Sequence, residues 1–549
     1  MVYGDTVPAT AFSAAGMTFE KANFDPIEQR TYEHFVTHWV SISQGALNRE
    51  DILRDWHSAW VEAFRQGLAG ELEPNEVNDR GNSVELPVPD ETVRHYFLRA
   101  DDPTKAAEVQ MLVRRLQRMD VQVYRLSAPL AVPDFKPYGH PAGDTVLPAG
   151  TYWIPMAQMQ KHWIQALLNE NTYVPFPYFY DVSGWSNPLL FNLSGERSGA
   201  VLSPAAELVA PVAAIAAPPL PAQPPRVGVY QISGGTSARE STGWLRYLLE
   251  REWDLPYEQV TSARIATGGL ANVDVLLVPN GVSTTASNAL GPRGRKALLD
   301  WVNAGGEYIG WRGGVDLAAR LGLTTARIAA PHSDIAGALI GVAVDPASLL
   351  ATGVGAFNWV FYDYDLVMTA SSPTHVAARF PAFGSEDFFV SGFARGESEL
   401  GGTAAAVGEP VGTGRVVLFS TDPNFRAWTV GMQKMLRNAV VGGDESARAG
   451  ALAGSETRAA AERAAKNAAE EVVALESPVR LSVDPQSIDS ARAVLDRYGA
   501  RYTLRTSRNK ASFLIANPAG LSGDEHPYAA TLPDDLLAAG VHVTAYRVP

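Results

Sequence analysis

The chain reads as a multidomain α/β protein, and three observations predict this class. Across residues 226–441, apolar strands alternate with amphipathic helices, and glycines stand at the strand ends. That order is the signature of a doubly wound parallel sheet whose loops gather at the strand C-termini. Two flanking stretches, 79–195 and 442–549, carry shorter alternations of the same kind. A length of 549 residues with 46% hydrophobic residues also suffices for several separate cores.

Residues 1–78 read as the remnant of a larger domain, one strand followed by two amphipathic helices. Tyr32, Phe35, Val36, Trp39 and Val40 fall at helical spacing, and Ile52, Leu53, Trp56, Trp60 and Phe64 roughly repeat it. Both stripes are expected to face a core. A piece this small is marginal alone, so its apolar faces need a missing partner or the next domain.

Residues 79–195 predict a small α/β domain. Strands over Val93–Ala100 and Val121–Ser127 flank a helix over Lys105–Met119, which suggests a βαβ unit with a parallel pair. A helix over about Lys161–Glu170 precedes the cluster Tyr178-Phe179-Tyr180-Asp181-Val182-Ser183-Gly184-Trp185, read as interdomain packing in preference to the lining of a ligand groove. Residues 196–225 hold seven prolines, from Pro204 to Pro225, and read as a semi-rigid linker.

In residues 226–441 the strands are expected at Arg226–Ile232, Val273–Pro279, Glu307–Gly310 and Arg415–Ser420. Helices are expected over Thr242–Trp253, Arg293–Asn303 and Phe425–Val440. Residues 442–549 open with an alanine-rich helix from about Ser455 to Leu475. A βαβ-type pattern follows, with strands at Val479–Val483 and Arg501–Thr506 around a helix at Asp489–Tyr498.

Composition narrows the function classes. A net charge of −14 argues against a nucleic-acid surface. No apolar run reaches membrane-span length, and Met1 is not followed by a signal-peptide pattern. The absence of cysteine removes disulfides and thiol catalysis. None of the ten histidines has a glutamate three positions on, so no familiar zinc spacing is present. His34 and His38 share a helix face and read as partly exposed helix residues rather than metal ligands. A hydrolase using Ser283 or Asp422 at the sheet edge lacks an obvious histidine partner in sequence.

Gly16-Met17-Thr18-Phe19-Glu20, preceded by Tyr3-Gly4-Asp5, resembles the closing segment of a zinc metallocarboxypeptidase of the carboxypeptidase A type. The Tyr-Asp-Val-x-x-Trp segment ending at Trp185 is similar to the domain that follows the catalytic unit in large bacterial members. The resemblance implies a metallopeptidase releasing C-terminal residues from peptides, placed in the extracellular space or periplasm. It implies that Glu20 is the general base beside a catalytic zinc, on a strand facing a partly open cavity. Its metal ligands and substrate-binding arginine would lie upstream of Met1, so no zinc is expected on this chain and it is expected to be inactive alone. A positioned base without the metal supplies roughly 10²–10⁴-fold, far short of enzymatic rates.

Residues 226–441 resemble the class I glutamine amidotransferase fold, which presents its nucleophile in a Gly-x-Cys-x-Gly turn. The matching place here is Gly310-Trp311-Arg312-Gly313-Gly314. Arginine stays protonated and cannot attack a carbonyl, which excludes glutaminase chemistry at this turn. Arg312 is instead a candidate anion contact or a bridge to a carboxylate. The competing reading of the whole chain is a non-catalytic peptide- or glycan-binding scaffold built on this domain.

Overall fold

The structure is a computed structural model that describes residues 11–14, 16, 19, 25–72, 75–79, 82–86, 91–170, 182–385, 387–388, 390–442, 479–497, 502–507, 510–515, 532–541 and 543–547. The chain is a multidomain α/β protein, divided into two units, Met1–Leu452 and Ala453–Pro549. Glu20, the Tyr178–Asp181 part of the aromatic cluster and the helix expected from Ser455 fall outside the described residues.

Helices α1 (Ile27–Leu47) and α2 (Arg49–Ala69) open the described chain. Their apolar stripes do not reach a core: Phe35 and Trp39 are each 63% exposed, and Tyr32, Leu53, Trp56 and Phe64 are exposed as well. Only the end of α2 is buried, at Ala63, Gln66 and Gly67, where Lys161 Nζ donates to Gln66 Oε1 at 2.8 Å.

A hairpin, β1 (Asn75–Asp79) with β2 (Asn82–Leu86), comes next. A seven-stranded sheet follows, built from β3 (His95–Leu98), β4 (Tyr124–Leu126), β5 (Leu130–Pro137), β6 (Gly143–Leu147), β7 (Tyr152–Pro155), β8 (Gly195–Ser198) and β9 (Ala206–Leu208). Its order is β6-β5-β8-β3-β7-β4-β9. Helix α3 (Ala106–Gln117) joins β3 to β4, as the βαβ reading requires. The two strands are not neighbours, however: β7 lies between them, antiparallel to both. The expected parallel pair is therefore split, because β7 satisfies the ladder donors and acceptors that β3 and β4 would have shared. Helices α4 (Lys161–Leu168) and α5 (Asn187–Leu190) complete this region. The proline-rich stretch contributes β9 and is not solely a spacer.

The larger sheet has twelve strands. They are β10 (Val227–Tyr230), β11 (Tyr257–Val260), β12 (Val275–Val278), β13 (Glu307–Trp311), β14 (Arg327–Ala329), β15 (Ala338–Val344), β16 (Phe357–Tyr362), β17 (Val367–Thr369), β18 (Val376–Arg379), β19 (Val390–Ser391), β20 (Ala404–Val411) and β21 (Gly414–Phe419). The order β11-β10-β12-β13-β21 is parallel throughout, and β20 then begins an antiparallel extension. Alternate residues of the parallel strands enter two different cores. Val227, Val229, Leu277, Ile309 and Phe419 pack with Leu245 of α6 (Gly235–Tyr247). Leu276, Val278, Tyr308 and Leu418 pack on the other face. They meet α8 (Ser283–Asn303) and α9 (Gly313–Leu321), which follow the short α7 (Ser262–Ala266). Leu436 of α10 (Val430–Val441) returns to the first face. Burial on both faces explains the unbroken apolar run of Val275–Val278.

Helix boundaries differ from expectation at three points. The helix expected from Thr242 begins at Gly235 as α6. Gly291 is non-helical, so α8 breaks ahead of Pro292, which can only begin a new turn. Arg426 and Ala427 both have positive φ, so residues 425–427 form a separate turn and α10 begins at Val430.

In the second unit, β22 (Val479–Val483), α11 (Ile488–Arg497), β23 (Tyr502–Ser507), β24 (Lys510–Ile515), α12 (Leu532–Ala538) and β25 (Val543–Arg547) build a sheet of order β23-β24-β22-β25. Every neighbour is antiparallel, with β24 inserted between the two strands that flank α11.

Candidate functional site

The C-terminal ends of β10, β12, β13 and β21 converge, and the turn after β13 is the sharpest element there. Arg312 adopts φ 49° and ψ −113° between β13 and the first residue of α9. A non-glycine residue in that region stores on the order of 1–3 kcal/mol of strain. Its neighbours must be glycine: a Cβ on Gly313 would sit 1.8 Å from the Gly281 carbonyl oxygen, and one on Gly314 would sit 2.0 Å from that of Val278. The turn is thus pressed onto the end of β12. Asn280 Oδ1 accepts from the Gly313 N–H at 3.2 Å and holds it there.

The Arg312 side chain turns back to protein rather than to open solvent. Its Nε lies 2.6 Å from Asp365 Oδ1, and its Nη2 donates to the Asp363 carbonyl at 2.9 Å. Asp365 is 2% exposed and also accepts from the Asp363 N–H at 3.0 Å. Burial pushes its carboxyl up to about 7, against the pull of the neighbouring guanidinium. The Asp365 charge in turn raises Arg312 above its ordinary value despite burial. Of the two roles open to Arg312 in the sequence, the geometry holds a bridge to a carboxylate.

Beside this pair lies a polar network whose members the sequence did not bring together. Ser241 Oγ donates to Asp422 Oδ2 at 2.6 Å. It accepts from Trp311 Nε1 at 2.9 Å and from the Asn280 N–H at 3.3 Å. Asp422 Oδ1 accepts from the Asn424 N–H at 2.9 Å, and burial pushes this carboxyl up as well. Ser241 and Asp422 are both buried. Ser283 serves elsewhere, accepting from Arg320 Nε at 3.0 Å. The two candidates for sheet-edge hydrolysis are therefore not brought together, and Asp422 joins Ser241 instead.

A second buried cluster lies in the smaller sheet. Arg197 ion-pairs with Glu91 at 2.7 Å, with Glu170 at 3.5 Å and also with Glu196, while Lys136 binds Glu170 at 2.5 Å. Burial and the nearby Glu170 charge raise Glu196 well above the usual carboxylate range. A protonated carboxyl beside an ionised one is an acid/base pattern, but Glu196 is fully buried and cut off from solvent.

The zinc implied by the carboxypeptidase resemblance does not fit the histidines described. His38 Nδ1 donates to the His34 carbonyl at 2.7 Å, and Phe19 packs edge-on against the His38 ring. Among the described residues, no group of three or more His, Asp or Glu side chains stands together as a ligand set.

No family model matches the chain, and none of the curated proteins matches it. Similar solved structures include a β-galactosidase from Bacillus circulans sp. alkalophilus, 13% identical over 40% of this chain and 31% of that one, with TM-score 0.28. A ThuA-like protein from Bacteroides uniformis is 12% identical over 42% of this chain and 98% of its own, with TM-score 0.28. PurLQS from Thermotoga maritima is 12% identical over 39% and 99%, with TM-score 0.26. This chain thus spans under a third of that β-galactosidase's length, and at these scores the likenesses carry no functional argument.

Proposed function

We propose that the chain is the C-terminal part of a zinc metallocarboxypeptidase that releases C-terminal residues from peptides outside the cytoplasm. The described domains would form its non-catalytic portion. The observation that carries this reading is the apolar face of α1 and α2, directly after Gly16–Glu20, left exposed at Tyr32, Phe35, Trp39 and Leu53. Large apolar side chains exposed along two helices mark a surface that another body covers, and a peptidase body is what the Gly-Met-Thr-Phe-Glu resemblance supplies. In this reading Glu20 is the general base of that body's site, and the metal ligands lie outside the described residues.

A rival reading, a non-catalytic peptide- or glycan-binding scaffold, draws support from Arg312. Its ion pair with Asp365 occupies the place where an amidotransferase keeps its nucleophile.

The discriminating assay is zinc-dependent release of C-terminal residues from peptides by the complete gene product. Under the peptidase reading it is active, and Glu20→Gln lowers its rate by roughly 10²–10⁴-fold with zinc content unchanged. The isolated chain is inactive. A complete product without peptidase activity, or a Glu20→Gln variant at full rate, leaves the scaffold reading.

A further inference from the structure

A cavity of about 420 Å³ opens between α3 of the smaller sheet and the helices of the larger one. Its volume is within the range of small-ligand sites. Arg115 enters from α3, Trp244 and Tyr247 from α6, Arg426 and Trp428 from the segment leading into α10, and Gln433 from α10 itself. None of these residues belongs to the Arg312 turn or to the peptidase reading.

Two features give the cavity a chemical character. The first is an excess of positive over negative side chains, two arginines against one acid. Arg115 donates through Nη1 to Asn187 Oδ1 at 2.6 Å, and its guanidinium lies 4.9 Å from the Phe191 ring centre. Among the described residues it has no ion pair with a carboxylate, and its other N–H groups have no protein acceptor. Burial holds it below its ordinary value, while Tyr247 and Glu252 act in the opposite sense. It remains charged. Glu252 is the one acid among the lining residues, and its Oε1 accepts from the Tyr247 hydroxyl at 2.9 Å.

The second feature is aromatic surface held by strained backbone. Arg426 and Ala427 have φ 49° and 57°, two successive non-glycine residues in the left-handed region. That distortion delays the start of α10 and brings Arg426 and Trp428 to one cavity. The Arg426 guanidinium lies 5.6 Å from the Trp428 ring centre. Strained backbone of this kind clusters at ligand sites.

We propose that this cavity binds a small aromatic carboxylate, its anionic group received by Arg115 and its ring packed against Trp244 and Trp428, with Arg426 adding positive charge on the opposite wall. Arginine offers a planar fork that matches a carboxylate, and indole faces pair with a flat ring.

Isothermal titration of the whole chain with phenylacetate, phenylacetamide and acetate tests this. Phenylacetate is expected to saturate one site, with the neutral amide and the ringless acetate each at least tenfold weaker. Arg115→Gln keeps an amide donor for Asn187 and should lose tenfold or more in phenylacetate affinity. Arg426→Gln, on the other wall, should do the same if the first variant fails to fold. Failure of phenylacetate to saturate by about 10 mM, a range that reads millimolar affinity, overturns the proposal. So does equal binding of acid and amide, equal binding of acetate, or full affinity in a folded variant.

Discussion

Ser241 Oγ donates a hydrogen bond to Asp422 Oδ2 at 2.6 Å and accepts one from the indole N–H of Trp311 at 2.9 Å. One hydroxyl therefore ties α6, the end of β13 and the residues after β21. All three groups are buried, so none has water as a substitute partner.

Ser241→Ala should destabilise the first unit by about 2–3 kcal/mol, because it strands the Asp422 carboxyl and the Trp311 N–H. Urea unfolding measures this. A loss below about 0.5 kcal/mol, typical of surface substitutions, would mean that the network holds nothing.

Arg312→Met leaves Asp365 buried beside no cation and should cost on the order of 3 kcal/mol. The double variant Arg312→Met with Asp365→Leu should regain most of it, since charge and partner leave together. If both variants are equally unstable, the strained turn rather than the ion pair is what matters.

The Asp365 carboxyl also predicts a pH dependence. Its folded value, about 7, stands above the roughly 3.9 of an unfolded chain. Its contribution is thus fully present below about 3.9 and is lost as pH rises through about 7. The stability difference between the wild type and Asp365→Asn should fall with pH across that window. A flat difference curve would contradict the assignment.

His95 titrates in the opposite sense. Burial holds it down to about 4, and its Nδ1 accepts from Trp153 Nε1 at 3.1 Å. Its contribution is present above about 6.5 and is lost as pH falls through about 4, on the order of 3 kcal/mol in all. His95→Gln should remove that acid-side loss, as thermal melting between pH 7 and 4 would show.

Gly67 meets the next domain with no room for a side chain: a Cβ there would lie 2.0 Å from the Met156 carbonyl oxygen. Gly67→Ala should loosen α2 at a cost of about 1–3 kcal/mol. Limited proteolysis should then cut the helix pair faster and leave residues 91–441 intact. Unchanged cleavage would show that the close approach is dispensable.

Legibility in the sequence followed range of interaction. The parallel strands could be read because two-sided burial writes itself as a continuous apolar run, as at Val275–Val278. The turn at Arg312 could be read because its glycines are demanded by contacts with Gly281 and Val278. Asp422 could be picked out as a candidate, but its pairing with Ser241 gave no sign, the two being 181 residues apart. The insertion of β7 between β3 and β4 was invisible for the same reason. In α1 and α2 the apolar stripe was plain, but periodicity tells which face is apolar and not whether anything covers it.

The proline-rich stretch after β8 looks like a hinge and is attached like a strap. Through β9 it closes one edge of the smaller sheet against β4. Gln117 Nε2 then holds the Val209 carbonyl at 3.0 Å, and Arg437 Nη2 holds that of Pro219 at 2.6 Å. Val212 packs on one hydrophobic core and Leu220 on another. Asn192 Nδ2 adds hydrogen bonds to the Val354 and Phe357 carbonyls at 3.0 Å each, and Lys434 Nζ adds one to Glu108 at 2.7 Å. The two sheets are therefore expected to melt together in one calorimetric transition. A protease nick in the strap should leave both halves associated, so a cut there marks no boundary along which the protein can be divided.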